Sequence, residues 1–415
     1  MKIFKFGGAS VKDAEGVKNV LRVLNHEGHE NTLIVISAMG KMTNAFEKII
    51  DSYTQNTEDL NVNIDAVRNY HLNIINELFE EKNHSIFVEV ENLFGQLSGF
   101  LIQNKSIDYN FIYDQIVGYG ELLSTKIVSA FLNDNNIETN WVDVRDYIKT
   151  NANYRDASVQ WELTSTNISK LNQQKLHITQ GFLGSNSKEK TTTLGREGSD
   201  YTAAIFAHCL NAKRVTIWKD VDGVLNADPR SFSTTQLLEQ ISYSEAIEMS
   251  FYGASVIHPK TLKPLENKNI PLHVRSFYKL DNSGTIVEKG TAIYPEIPCF
   301  ILKKHQILIS ISALDFSFMV ENNLSELFKI LHDNKLKVNL IQNSAISFSV
   351  CVEDKFNNFQ QFLNEVELKY KTNYVENVSL YTIRHANKIS VSEIEQKGKV
   401  LLKQATKGTV QIVMQ

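Results

Sequence analysis

The stretch Leu194-Gly195-Arg196-Glu197-Gly198-Ser199-Asp200-Tyr201-Thr202-Ala203-Ala204 brings a cation, hydroxyls, carboxylates and flexible backbone together just before a helical pattern running from Asp200 to Leu210. Its two glycines let the backbone approach a ligand closely, and the first amides of a helix point at an anion. Arg196 can clamp a carboxylate or a phosphate, and Asp200 can hold a metal ion or orient a lysine. An ordinary helix start uses the same letters, because Ser and Asp are preferred N-caps. The motif therefore takes its meaning from its company.

Four other clusters keep it company. Lys5, Gly7, Gly8 and Ser10 close a short β-prone run, Met1 to Phe6, and open the helical pattern Val11 to Asn25. A lysine, two glycines and a hydroxyl at a strand end suit a backbone cradle for phosphate. The order differs from a P-loop, in which the lysine follows the glycines. The buried-strand pattern Thr32 to Ser37 runs into Ala38-Met39-Gly40-Lys41-Met42-Thr43-Asn44, and open α/β sheets bind ligands at such carboxyl ends. Within the helical pattern Asp114 to Phe131, Gly118 and Gly120 flank Tyr119 ahead of Glu121. Glycine in a helix costs about 1 kcal/mol against alanine, which points to close approach of a backbone or a ligand, and Glu121 could meet a substrate ammonium. The run Lys219-Asp220-Val221-Asp222-Gly223-Val224-Leu225-Asn226-Ala227-Asp228-Pro229-Arg230 is dense in charge and stiffened by glycine and proline, which suits a nucleotide and its metal.

These clusters sit between alternating strands and helices. Strand patterns at Thr139 to Val144, Leu176 to Gln180, Val215 to Trp218 and Pro271 to Ser276 interleave with helical ones, which indicates an α/β sandwich with a largely parallel sheet. The chain has 415 residues, 42% of them hydrophobic, enough for two or three packed domains. A net charge of −4 offers no attraction to nucleic acid or an anionic membrane. Without a signal-like start or a membrane-length apolar run, a cytoplasmic location is expected. Cys209, Cys299 and Cys351 are scattered and form neither a disulfide framework nor a zinc spacing.

Composition changes near Pro295 to Pro298, which sets the expected domain boundary between 1–297 and 298–415. Beyond it the patterns read βαββαβ, a ferredoxin-like α+β module. One full unit is expected at about 305–375. A second, partial unit would span 376–415 with a strand borrowed from about 299–303.

Taken together, Lys5-Phe6-Gly7-Gly8-Ala9-Ser10-Val11, Gly195 to Thr202, Val221-Asp222-Gly223 with Ala227-Asp228-Pro229-Arg230, and Tyr252-Gly253-Ala254-Ser255-Val256-Ile257-His258-Pro259 resemble the aspartate kinase family. The resemblance implies an amino-acid-kinase three-layer sandwich followed by an ACT regulatory and dimerising region. It implies transfer of the ATP γ-phosphate to the β-carboxylate of L-aspartate, the first step toward lysine, threonine and methionine, by a homodimer; with no dehydrogenase pattern at the end of the sequence, a monofunctional enzyme is expected. By that similarity Lys5 and Asp200 are catalytic, and Ser37, Thr43, Glu121, Arg196 and Ser199 hold aspartate. Lys5, Gly7, Gly8, Ser10, Lys219, Asp220, Leu225, Asp228, Arg230 and Ser255 face the nucleotide. Mg²⁺ would ride mainly on the ATP phosphates without firm side-chain ligands. Glu197 stands where the family usually has glycine, Leu225 where an aromatic is common, and Ser255 where lysine is common. Asn339 and Ala345 replace acidic positions of lysine- or threonine-inhibited relatives, so weak or absent feedback inhibition is expected.

Overall fold

A computed structural model describes residues 1–254, 257–315 and 317–415; Ser255 lies outside the described residues. The chain divides into two compact units. The first comprises Met1–Val224, Leu237–Ile247 and Val256–Ile293, and the second comprises Leu225–Gln236, Glu248–Ser255 and Tyr294–Gln415.

The chain starts with β1 (Lys2–Phe6), α1 (Ala14–Glu27) and β2 (Thr32–Ile36). Five helices follow: α2 (Met42–Gln55), α3 (Leu60–Leu78), α4 (Ser85–Gln103), α5 (Tyr109–Val117) and α6 (Tyr119–Asp134). Next come β3 (Asn140–Val142), α7 (Val144–Tyr147), α8 (Trp161–Ile168) and β4 (His177–Gln180). The hairpin β5 (Leu183–Ser185) and β6 (Thr191–Thr193) leads into α9 (Gly198–Leu210) and β7 (Arg214–Lys219). After short β8 (Val224–Leu225) and β9 (Leu237–Leu238) come β10 (Gln240–Ser242), α10 (Tyr243–Tyr252), α11 (Pro259–Lys268), β11 (Leu272–Ser276) and β12 (Thr285–Glu288).

The main sheet has the order β10-β12-β11-β7-β1-β2-β4-β3. Strands β3, β4, β2, β1, β7 and β11 are parallel, and β12 runs against β11. Their apolar runs are continuous because helices cover the sheet, so Leu33, Ile34, Val35 and Ile36 are all fully buried. The pleat then sorts β1. Phe4 and Phe6 enter the core shared with Val17, Phe46 and Ile127, while Lys5 points to the opposite face, where α9 packs on β1 and β7.

Local hydrogen bonding moved several expected boundaries. Ser10 belongs to a 3₁₀ turn, Gly8–Val11, and α1 starts only after Asp13, whose carboxylate accepts from the Gly16 amide at 2.8 Å. The stretch Asp114 to Phe131 is two helices meeting at Gly118, not one helix with interior glycines. The β5–β6 hairpin has no counterpart among the expected elements, and α9 starts at Gly198, two residues before Asp200.

The second unit contains β13 (Cys299–Ala313), α12 (Glu321–Asp333), β14 (Lys337–Asn343), β15 (Ser347–Glu353), α13 (Phe359–Val366), β16 (Tyr370–Arg384), α14 (Lys388–Glu395), β17 (Val400–Thr406) and β18 (Thr409–Met414). Its sheet, β14-β15-β13-β16-β18-β17, is antiparallel. Strand β17 has no clear sequence signal, because its residues alternate only weakly. Cys299–Lys303 pairs with Leu380–Arg384, and after a register shift Leu308–Ala313 pairs with Tyr370–Val375. His305, at φ 55°, lies at that shift. Each end has its own core, Ile309, Phe348 and Phe362 on one side and Ile383, Ile394 and Ile412 on the other. Among the described residues no helix is long and apolar enough to cross a membrane.

Candidate active site

Parallel strands deliver their carboxyl ends to one edge of the first unit: Lys5 on β1, Ser37 after β2, Gly181 and Phe182 after β4, and Lys219 on β7. With the start of α9 they enclose a cleft of about 520 Å³, lined by Lys5, Ser37, Thr43, Glu121, Arg196, Ser199, Asp200 and Lys219 among others. Residues spread over more than half the sequence thus meet because each terminates or follows a strand of one sheet, or begins a helix above it.

Lys5 Nζ lies 2.6 Å from Asp200 Oδ1, and both side chains are nearly buried, at 10% and 5% exposure. Asp200 occupies the first turn of α9, where the helix dipole favours a carboxylate. The pair pins the β1 lysine to the helix, so its ammonium is held at the cleft without a flexible search. What starts α9 is the backbone of Glu197, at φ 53° and ψ 29°, with no side-chain cap. This left-handed conformation is easy for glycine and uncommon for other residues. Glu197→Gly should therefore stabilise the protein by about 1 kcal/mol. Urea unfolding of both proteins measures this, and an unchanged or lowered midpoint would count against strain at this position.

Glu121 sits in the first turn of α6, 2% exposed. Its Oε1 accepts from the Ala38 amide at 3.3 Å, while Oε2 is buried without a hydrogen-bond partner among the described residues. Burial pushes this carboxyl up to about 8, against the opposing pull of the Ala38 amide and of Lys5. Gly120 makes the approach possible, since a Cβ there would stand 2.9 Å from Ala38 Cβ.

The cleft also contains side chains the sequence did not single out: Tyr113, Arg155 and Phe182. Arg155, Phe182 and Glu197 all adopt positive φ, at 69°, 69° and 53°. Uncommon backbone at non-glycine residues collects at functional sites, where surrounding contacts overdetermine it. Here Asp114, buried and pushed up to about 6 by desolvation, accepts from the Arg155 amide and from the Thr193 amide and hydroxyl. It ties the Arg155 loop and the hairpin to α5. Gly181, likewise not singled out as a site position, lies under the motif: a Cβ there would be 2.4 Å from Ser199 Cβ. Gly181→Ala should displace Ser199, costing about 1–3 kcal/mol of stability and weakening substrate binding. Thermal melting together with substrate titration tests this; wild-type values for both would refute it.

The expected nucleotide residues separate. Gly8 lets the β1 loop pack on the β2 loop, its carbonyl accepting from Gly40 at 2.9 Å, and Gly7 leaves room beside Lys5 Nζ. Ser10 is 2% exposed and donates to the Trp218 carbonyl at 3.3 Å, so its hydroxyl joins the turn to β7 and does not line the cleft. Asp220 is exposed next to Lys219. Leu225, Asp228 and Arg230 belong to the second unit, where Arg230 makes a bidentate contact to Asp228 on the surface. Among the described residues no cluster of three or more His, Cys, Asp or Glu could hold a metal ion.

Residues 1–276 match the model of the amino acid kinase family. Lysine-sensitive aspartokinase 3 of Escherichia coli is 32% identical over 349 residues, covering 83% of this chain and 76% of that one. A bifunctional aspartokinase/homoserine dehydrogenase of Arabidopsis thaliana is 33% identical over 294 residues, but this chain spans only 32% of its length. The structure of E. coli aspartokinase III in complex with aspartate and ADP superposes with a TM-score of 0.81 at 27% identity, covering 100% of this chain and 96% of that one. Its complex with lysine and aspartate gives 0.82 at the same identity and coverage. On this agreement of sequence and fold, the chain belongs to the amino acid kinase family and, within it, to the aspartokinases.

Proposed function

We propose that the cleft transfers the γ-phosphoryl group of ATP to the β-carboxylate of L-aspartate, giving 4-phospho-L-aspartate. The observation that carries this reading is the buried Lys5–Asp200 pair in a cleft that also holds Arg196 and a Glu121 oxygen without a hydrogen-bond partner among the described residues. A zwitterionic dicarboxylate finds a complement to each of its charges there.

Glu121 takes the substrate ammonium, Arg196 and Ser199 take the α-carboxylate, and Ser37 and Thr43 offer hydroxyls beside the chain. Lys219 and Asp220 face the nucleotide, and Lys5 faces the transferring phosphate. A β-carboxylate with a pKa near about 3.9 is already ionised, so no general base is needed. Catalysis then consists of in-line positioning and relief of repulsion between two anions. Lys5 supplies a fixed positive charge for that purpose, oriented by Asp200. Mg²⁺ takes one or two carboxylates beside phosphate and water ligands, and the carboxylate of Asp200 and the Oε2 of Glu197, which has no hydrogen-bond partner among the described residues, are donors of that type in the cleft. When bound with ATP it would neutralise charge on the phosphates.

Trapping the acyl phosphate with hydroxylamine, across aspartate, glutamate, acetylglutamate and nucleoside monophosphates, tests the reading. Product with aspartate and ATP is expected; product only with another acceptor would replace it. Dimerisation through the second unit is part of the proposal, and sedimentation tests it. Feedback by lysine is expected to be weak, since Asn339 is neutral and already bonded to Lys303 and Gln306, at 2.7 Å each. An inhibition assay showing lysine potency equal to that on the lysine-sensitive E. coli relative would refute this.

A further inference from the structure

The arginines of the first unit divide sharply. Arg22, Arg68, Arg145, Arg214 and Arg275 are each ion-paired to a carboxylate. Arg155 and Arg196 both line the cleft, and among the described residues neither has a carboxylate within ion-pair distance, although the Arg155 charge acts on the Asp114 carboxyl. Both side chains are exposed at the cleft, and guanidinium is the group best shaped to bind carboxylate.

Arg155 is also held in place. Its guanidinium lies 4.4 Å from the Tyr113 ring centroid, and that ring is 7% exposed with its hydroxyl donating to Glu47 at 3.1 Å. Its amide is bonded to Asp114 at 3.1 Å, and its φ of 69° sets the direction in which the side chain leaves the loop. The next residue, Asp156, is ion-paired to Lys260 and would collide with a Cβ at Gly195 at 2.7 Å, so the loop rests on the residue preceding Arg196. Arg155 is exposed, but these restraints fix the loop and the stem from which its guanidinium projects.

We propose that Arg155 is a specificity-determining residue that joins Arg196 in a two-guanidinium clamp on the α-carboxylate of the amino-acid substrate. The inference rests on the aspartate reading above and extends it to a residue outside the motif. The clamp makes the free α-carboxylate a condition of tight binding, while the β-carboxylate stays available to the phosphate at Lys5.

The test compares L-aspartate with L-isoasparagine, its α-amide, which retains the ammonium and the β-carboxylate but lacks the α charge. Dissociation constants for both are measured by calorimetry on the full chain, as wild type, Arg155→Met and Arg155→Lys. Wild type should prefer aspartate. Arg155→Met should reduce that preference about tenfold, the scale of one charge-assisted contact, with isoasparagine affinity kept within about twofold and Arg155→Lys intermediate. An unchanged preference in Arg155→Met overturns the clamp. Equal weakening of both ligands also overturns it, because the effect would then lie in the shape of the cleft. A wild type that binds neither ligand, and does not phosphorylate aspartate, overturns the functional reading and the clamp together.

Discussion

Lys5→Met should lower kcat for aspartate phosphorylation by about 10³-fold, while KM for aspartate changes far less. The ammonium is the fixed positive charge of the cleft held by a buried carboxylate, and loss of one preorganised electrostatic contact in a transition state costs about 3–4 kcal/mol. Methionine keeps the length and packing of the stem. The substitution nevertheless leaves Asp200 buried without its partner, which is itself destabilising by about 3–5 kcal/mol. Lys5→Met with Asp200→Asn should therefore melt higher than Lys5→Met alone and remain equally inactive. Single-turnover kinetics with ATP in excess, together with melting curves, separate the two effects. A Lys5→Met enzyme retaining a tenth or so of wild-type turnover would exclude Lys5 from the chemistry.

Glu121→Gln should raise KM for aspartate by about 10- to 100-fold, the scale of a hydrogen bond to a charged group, and should abolish a pH dependence present in the wild type. Burial holds the Glu121 carboxyl up at about 8, so in the empty protein it is largely protonated at neutral pH. An arriving ammonium favours the ionised form. Binding near neutrality therefore expels a proton, and aspartate affinity rises as pH climbs toward about 8. Calorimetry in buffers of different ionisation enthalpy detects that proton. A wild-type affinity that is flat across this range would remove Glu121 as the ammonium partner.

The same shift has a consequence for stability. The folded pKa lies above the ordinary value of 4.5, so between the two the folded state binds more protons than the unfolded one. The contribution of Glu121 to stability is therefore most favourable below 4.5 and is lost as pH rises through about 8. Glutamine, which does not ionise, should remove this slope and stabilise the alkaline side.

The amino-acid pattern by itself determined the α/β class, the alternation of the main parallel strands with helices in the first unit, and the motifs from which the candidate residues were drawn. Lys5, Ser37, Glu121, Arg196, Ser199, Asp200 and Lys219 line the cleft, and they were legible as candidates only when polar residues at strand ends and helix starts were read together with the resemblance of their motifs to the aspartate kinase family. Ser10 shows the limit of that reasoning. Its hydroxyl fits a phosphate cradle by type and spacing, but the turn that carries it spends the hydroxyl on the Trp218 carbonyl, more than 200 positions away.

What only the tertiary structure decided is how distant residues satisfy or leave unsatisfied one another's charge. Arg155 reads as one loop arginine among several until Asp114, Tyr113 and the Asp156–Lys260 pair hold it at the cleft. Gly181 reads as a turn until Ser199 is found against it. Whether a guanidinium is paired, whether a carboxylate oxygen is orphaned and whether burial raises its pKa depend on neighbours brought in by sheet order. Side-chain type and local spacing do not encode them, because the energy of a buried charge is set by the whole of its surroundings.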